Sequence, residues 1–138
     1  MTYGDLKNQI AMLLIGDNDL PKDEAKVLAG LKFAYIELAD ISTPLKWLTL
    51  NKDVSIMRQG PGSYWVRMPD MPLDTTDELD IDSELTPALA RFMASNIAKE
   101  IQMKNYHRRL GSELLKKYDA KVREYILNQE SKGVYADA

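Results

Sequence analysis

Apolar residues recur at spacings of three and four over most of this chain, and one stretch breaks that rhythm. Tyr3, Leu6, Ile10, Leu13 and Leu14 lie on one face of a helix predicted over 2–15, with Thr2 as its N-cap. The turn residues Gly16-Asp17-Asn18-Asp19 end it. Pro21 stands where a first helical position belongs, and the acids after it suit a positive helix end. The stripe Ala25, Leu28, Leu31, Ala34, Tyr35 and Leu38 continues that second helix to about residue 40. Phe33 and Ile36 fall off the stripe, so the helix reads as apolar on more than one face and central to the core. Gly30 in its middle suggests a close helix crossing, and Thr43-Pro44 ends it.

From 47 to 68 the period shortens. Trp47-Leu48-Thr49-Leu50, Val54-Ser55-Ile56-Met57 and Tyr64-Trp65-Val66-Arg67-Met68 are β-branched or aromatic with partial alternation, and Gln59-Gly60-Pro61-Gly62-Ser63 supplies a turn. A β-hairpin with a glycine-rich tip is predicted, its face packed on helices or on another chain because an isolated hairpin is marginal in water. A proline-punctuated connector and an acidic stretch then lead into a helix at about Ser83, where Pro87 is tolerated in the first turn. Leu85, Leu89, Met93, Ile97 and Ile101 repeat every four residues, and the pattern resumes through Leu110, Leu114, Tyr118, Val122 and Tyr125 or Ile126. Gly111 is the expected break, giving two helices that meet near 106–111 or one long kinked helix. The fold class expected is mainly α: a bundle of about four helices with an inserted β-hairpin, one domain over 1–130 and a loose tail over 131–138.

Composition narrows the function classes. With 138 residues and no cysteine, the chain is long enough for a core without disulfides and has no thiolate for a metal. Its longest apolar run, 10–15, falls far short of the ~20 residues of a bilayer span, and no secretory signal pattern opens the sequence, so manufacture in a cytoplasm is expected. The net charge of −3 argues against a dedicated DNA binder. The charge is polarised: seven acids and no base lie between Asp70 and Glu84, and eight Lys or Arg against three acids lie between Lys99 and Arg123. Such polarity suits contact between opposite ends of neighbouring molecules, or two solvated faces.

Candidate chemistry is sparse. The single histidine, His107, has no Cys or second His for a zinc site and reads as a surface or helix-junction residue. The alternating acids from Asp74 invite a calcium loop, but Leu79 and Leu85 occupy the positions that need glycine and a bidentate glutamate. Helix-end electrostatics and a negative docking surface are the expected roles of this stretch. No nucleophile elbow or phosphate loop is present, so neither a catalytic residue nor a cofactor or metal site is assigned and the chain is not expected to be an enzyme. Arg108-Arg109 and Lys116-Lys117 leave open a small helical nucleic-acid-binding or regulatory module as the alternative.

The order of parts resembles the head–tail connector (adaptor) proteins of tailed bacteriophages. Met1-Thr2-Tyr3-Gly4-Asp5-Leu6 through Leu14-Ile15-Gly16-Asp17 resembles their first helix, and the hairpin over 47–68 stands where they carry a strand insertion. At the residue level the likeness rests on Met71-Pro72-Leu73-Asp74-Thr75-Thr76-Asp77-Glu78-Leu79-Asp80-Ile81-Asp82-Ser83-Glu84-Leu85, followed by the helix Ala88-Leu89-Ala90-Arg91-Phe92-Met93-Ala94-Ser95. The resemblance implies a structural virion protein of the neck. It implies a homo-oligomeric ring, commonly of twelve copies, between the portal protein and the tail or nozzle proteins, with no membrane and with DNA only as the passing genome. It also implies interface roles for the hairpin (Arg58, Gln59, Gly60, Tyr64, Trp65) and portal docking by Lys132, Gly133, Val134 and Tyr135 in the tail.

Overall fold

The computed structural model describes residues 1–16 and 19–131. Among them the fold is mainly α, a bundle of four helices with a small three-stranded antiparallel sheet. The helices are α1 (Tyr3–Leu13), α2 (Glu24–Ile41), α3 (Thr86–Ile97) and α4 (Ile101–Ser131); the strands are β1 (Leu48–Thr49), β2 (Ile56–Gln59) and β3 (Trp65–Arg67). The buried side chains form one hydrophobic cluster drawn from every helix. Its hub is α3, which packs against α1, α2 and α4.

Thr2 caps α1 as expected, accepting from the Asp5 amide while the Asp5 carboxylate accepts from the Thr2 amide. The second helix begins later than Pro21: Asp23 is its N-cap, accepting from the Ala25 amide at 3.0 Å, because a carboxylate can take up an orphan N–H and a proline ring cannot. Phe33 and Ile36 lie on the surface, so the second apolar face of α2 is not central; α3 holds that place.

The hairpin forms with β3 in the middle, β1 on one side and β2 on the other. Gln59 pairs with Trp65, the Gly60 amide donates to the Tyr64 carbonyl at 3.0 Å, and Gly62 takes the positive φ that the turn demands. Trp47 lies outside the sheet. It closes a 3-10 turn (Leu45–Trp47), is fully buried, meets Tyr35 edge-on at 5.1 Å and donates its indole N–H to the Asp80 carbonyl.

The close crossing expected at Gly30 is found at Gly111 instead. A Cβ on Gly30 would meet only the Met93 methyl at 4.0 Å, whereas one on Gly111 would lie 3.3 Å from Arg91 Cβ and Phe92 Cε2. Gly111 is therefore where α4 closes on α3, inside an unbroken helix. The break falls instead at 98–100, where Ala98 is extended. Ser95 Oγ donates to the Lys104 carbonyl across that corner, and Lys104 Nζ reaches the last carbonyls of α3.

Candidate assembly interface

Residues 70–82 form a strap that ties three elements together. Its backbone meets the start of α1: the Tyr3 and Gly4 amides, orphan donors of a first helical turn, donate to the Asp77 and Thr75 carbonyls at 2.9 Å each. Gly4 permits that approach, since a Cβ there would sit 3.0 Å from the Thr75 oxygen. Asp80 grips the sheet by a two-pronged pair with Arg67 (2.6 and 2.8 Å) and accepts from the Asp70 amide at 2.8 Å. Burial alone would raise the Asp80 pKa; the Arg67 guanidinium and the Asp70 amide outweigh it and hold the carboxyl below the usual range. Asp82 accepts from the Lys46 amide and from the Tyr118 hydroxyl of α4. Burial, with Asp82 and Glu84 adding to it against the Leu45 amide, drives the Tyr118 pKa upward, so the phenol stays protonated as a donor. The acids expected to form a docking surface are thus largely spent inside the molecule. Among the described residues, no three His, Asp or Glu side chains are grouped so as to hold a metal ion.

The strap turns at its tip around Leu73. The Asp77 carboxylate accepts from the Leu73 and Asp74 amides at 2.7 and 3.1 Å, and Asp74 accepts from the Thr76 amide at 2.8 Å. Inside this network of fixed turns, the Leu73 side chain is 95% exposed.

At the other end of α2 lies a groove of about 710 Å³, between residues 39–43, the hairpin tip 58–61 and the last turns of α4. Its apolar wall comes from Ile41, Val122, Ile126 and Leu127. Arg58 crosses its edge, donating to the Ala39 carbonyl and to Thr43 Oγ1, so it satisfies a terminal carbonyl of α2. Both acceptors are uncharged, and Arg58 has no carboxylate partner among the described residues. Arg58 Nε and the buried Ser42 Oγ have no hydrogen-bond partner there. Asp40 and Asp119 also line the groove, Asp119 being paired with Arg123 at 2.7 Å.

Of the hairpin candidates, Arg58, Gln59 and Gly60 line this groove. Tyr64 is 7% exposed and belongs to the core, so it offers no contact surface, and Trp65 is half-buried with the Lys52 ammonium 5.0 Å over its ring. Lys132, Gly133, Val134 and Tyr135 lie outside the described residues. On α4 the buried face is His107, Gly111, Leu115, Tyr118, Val122 and Ile126: the expected stripe shares Tyr118, Val122 and Ile126 with it, while Gly111 and Leu115 take the places expected of Leu110 and Leu114. His107 is 1% exposed, not on the surface, and its Nδ1 lies 2.9 Å from Arg91 Nη1. Most cations of the 99–123 run are also engaged: Arg108 with Glu37 at 2.6 Å, Lys121 with Glu84, and Lys104 with α3. No helix among the described residues is long and apolar enough to cross a membrane.

Compared with known protein families, curated proteins and solved structures, the chain matches none.

Proposed function

We propose that the chain is a structural assembly protein, an adaptor that forms a homo-oligomeric ring in the neck of a tailed bacteriophage virion, between portal and tail. The observation that carries this reading is the groove, where the hairpin tip singled out for subunit contact meets the end of the helix that leads into the tail singled out for portal docking. An apolar wall beside an arginine with no acidic partner among the described residues suits a contact surface for another chain. The two surfaces differ in kind: a saturated strap with a projecting leucine, and an open groove. A ring subunit needs such unlike faces, because heterologous contacts close a ring by rotation.

The alternative, a nucleic-acid-binding module on the 99–123 face, draws less support. Arg108 is committed to Glu37 and Asn96, and Arg109 stacks near the Tyr106 ring at 5.7 Å. The test is electron microscopy of the purified chain alone and with the portal protein of the same phage. Rings with portal present are the expected result; a persistent monomer with portal present contradicts the reading. DNA binding whose salt dependence falls on neutralising Arg108 and Arg109 would favour the alternative.

A further inference from the structure

The strap tip and the groove lie at opposite ends of one helix. Tyr3, which bonds the strap through its amide, also donates its hydroxyl to Glu24 at the first turn of α2. The groove is built on 39–43, at the last turn. The eighteen residues of α2 run about 27 Å at the α-helical rise, and the turns that fix Leu73 are tied to its Glu24 end, away from the groove. The tip of a second copy can enter.

We propose that the acidic turn around Leu73 of one copy seats in the groove of the next, joining the chains head to tail. Three observations lead there. First, a leucine held 95% exposed on a turn fixed by Asp74 and Asp77 is a preorganised knob: little freedom remains to be lost when it docks. Second, the groove is open, has an apolar wall, and with a volume of about 710 Å³ has room for a turn of several residues. Third, the charges fit. The tip brings Asp74 and Asp70 with no base among residues 68–84, and the groove edge holds Arg58, whose bonds go only to neutral oxygens. The groove also carries Asp40 and the Asp119–Arg123 pair, so among the described residues lining it Arg58 is the cation outside an ion pair.

This inference rests on the ring reading for its assembly but is tested separately from it. The chain has no cysteine, so single cysteines report one contact at a time. Full-length Leu73→Cys protein is mixed with full-length Leu127→Cys protein and oxidised. In parallel it is mixed with Met12→Cys protein, whose site is similarly exposed but lies off the groove. The expected result is a mixed disulfide with Leu127→Cys at least tenfold faster than with Met12→Cys. Equal rates, or no mixed product, overturn the docking. So does a Leu127→Cys/Val134→Cys chain that closes on itself faster than the Leu73 pair forms, since the chain's own tail would then occupy the groove. If the selective disulfide forms but the Leu73→Cys/Leu127→Cys double variant yields an open ladder without closed rings, the docking stands and the ring reading fails. Rings seen without selectivity give the opposite outcome.

Discussion

The strap and the groove sit at the two ends of α2 and treat their polar groups in opposite ways. In the strap, Asp77, Asp80 and Asp82 each accept two or more hydrogen bonds, from amides, Arg67 or Tyr118, and among its large apolar side chains Leu73 is the one left exposed. At the groove, Ser42 Oγ and Arg58 Nε have no partner among the described residues, and Ile41 and Leu127 face solvent. An acid-rich sequence is therefore not by itself a binding surface. Where each carboxylate has a donor inside the molecule, charge builds the fold; where a buried polar atom goes unmatched, its lost hydration is a cost to the fold.

This contrast can be broken most forcefully at Asp80. Asp80→Asn keeps the shape but strips the charge from the Arg67 pair, and the expected loss is about 2–4 kcal/mol, a fall of about 10 °C in the melting midpoint by calorimetry. A loss under about 0.5 kcal/mol would show that the strap is ornamental. The same carboxylate sets a pH dependence. Its folded pKa lies below the unfolded value of about 3.9, so its contribution is fully present above that pH and disappears as pH falls through the folded value. Wild-type stability should therefore decline below about pH 4 more steeply than that of Asp80→Asn.

The next effect in size is at the groove edge. Arg58→Ala removes the donors that hold the Ala39 carbonyl and the Thr43 hydroxyl, and should cost about 1–2 kcal/mol by urea titration. Ser42→Ala should move stability the other way, from no change to a gain of about 1 kcal/mol, because it deletes a buried hydroxyl without a partner. A loss above about 1 kcal/mol would mean that the hydroxyl is satisfied in solution. Smallest of all, Leu73→Ser in dilute solution should stay within about 0.5 kcal/mol of wild type, since nothing in one copy covers that side chain.

What was legible in the sequence follows the same division. Periodicity and turn chemistry revealed the helices, the Thr2 cap and the glycine-tipped hairpin, because each is decided by near neighbours. The misread features are decided by distant ones. The bend at 98–100 contains Ala98, Lys99 and Glu100 and no glycine or proline; it is held by Ser95 and Lys104 reaching across the corner. Gly111 looked like a helix breaker and instead makes room for Arg91 and Phe92 of α3. The inward face of α4 holds Tyr118, Val122 and Ile126 as the periodicity predicts, but its first half runs through His107, Gly111 and Leu115 instead of Leu110 and Leu114, and the groove beside Val122 and Ile126 is completed by the distant residues 39–43 and 58–61. The acids of the strap were visible as charge, but their donors lie far along the chain, 36 residues away for Lys46 and Tyr118 on Asp82 and 77 for the Met1 ammonium on Glu78.

The most direct test of the account is amide hydrogen exchange on the full chain at dilute and at high concentration. The strap amides of Leu73, Asp74 and Thr76, with their carboxylate acceptors, should already be slow in dilute protein. On concentration, peptides covering 39–43, 58–61 and 119–127 should slow together with the 72–76 tip, while 99–117 stays unchanged. Groove peptides that exchange at the same rate at both concentrations, or slowing confined to 99–117, would contradict the assignment of the groove as the surface another copy completes.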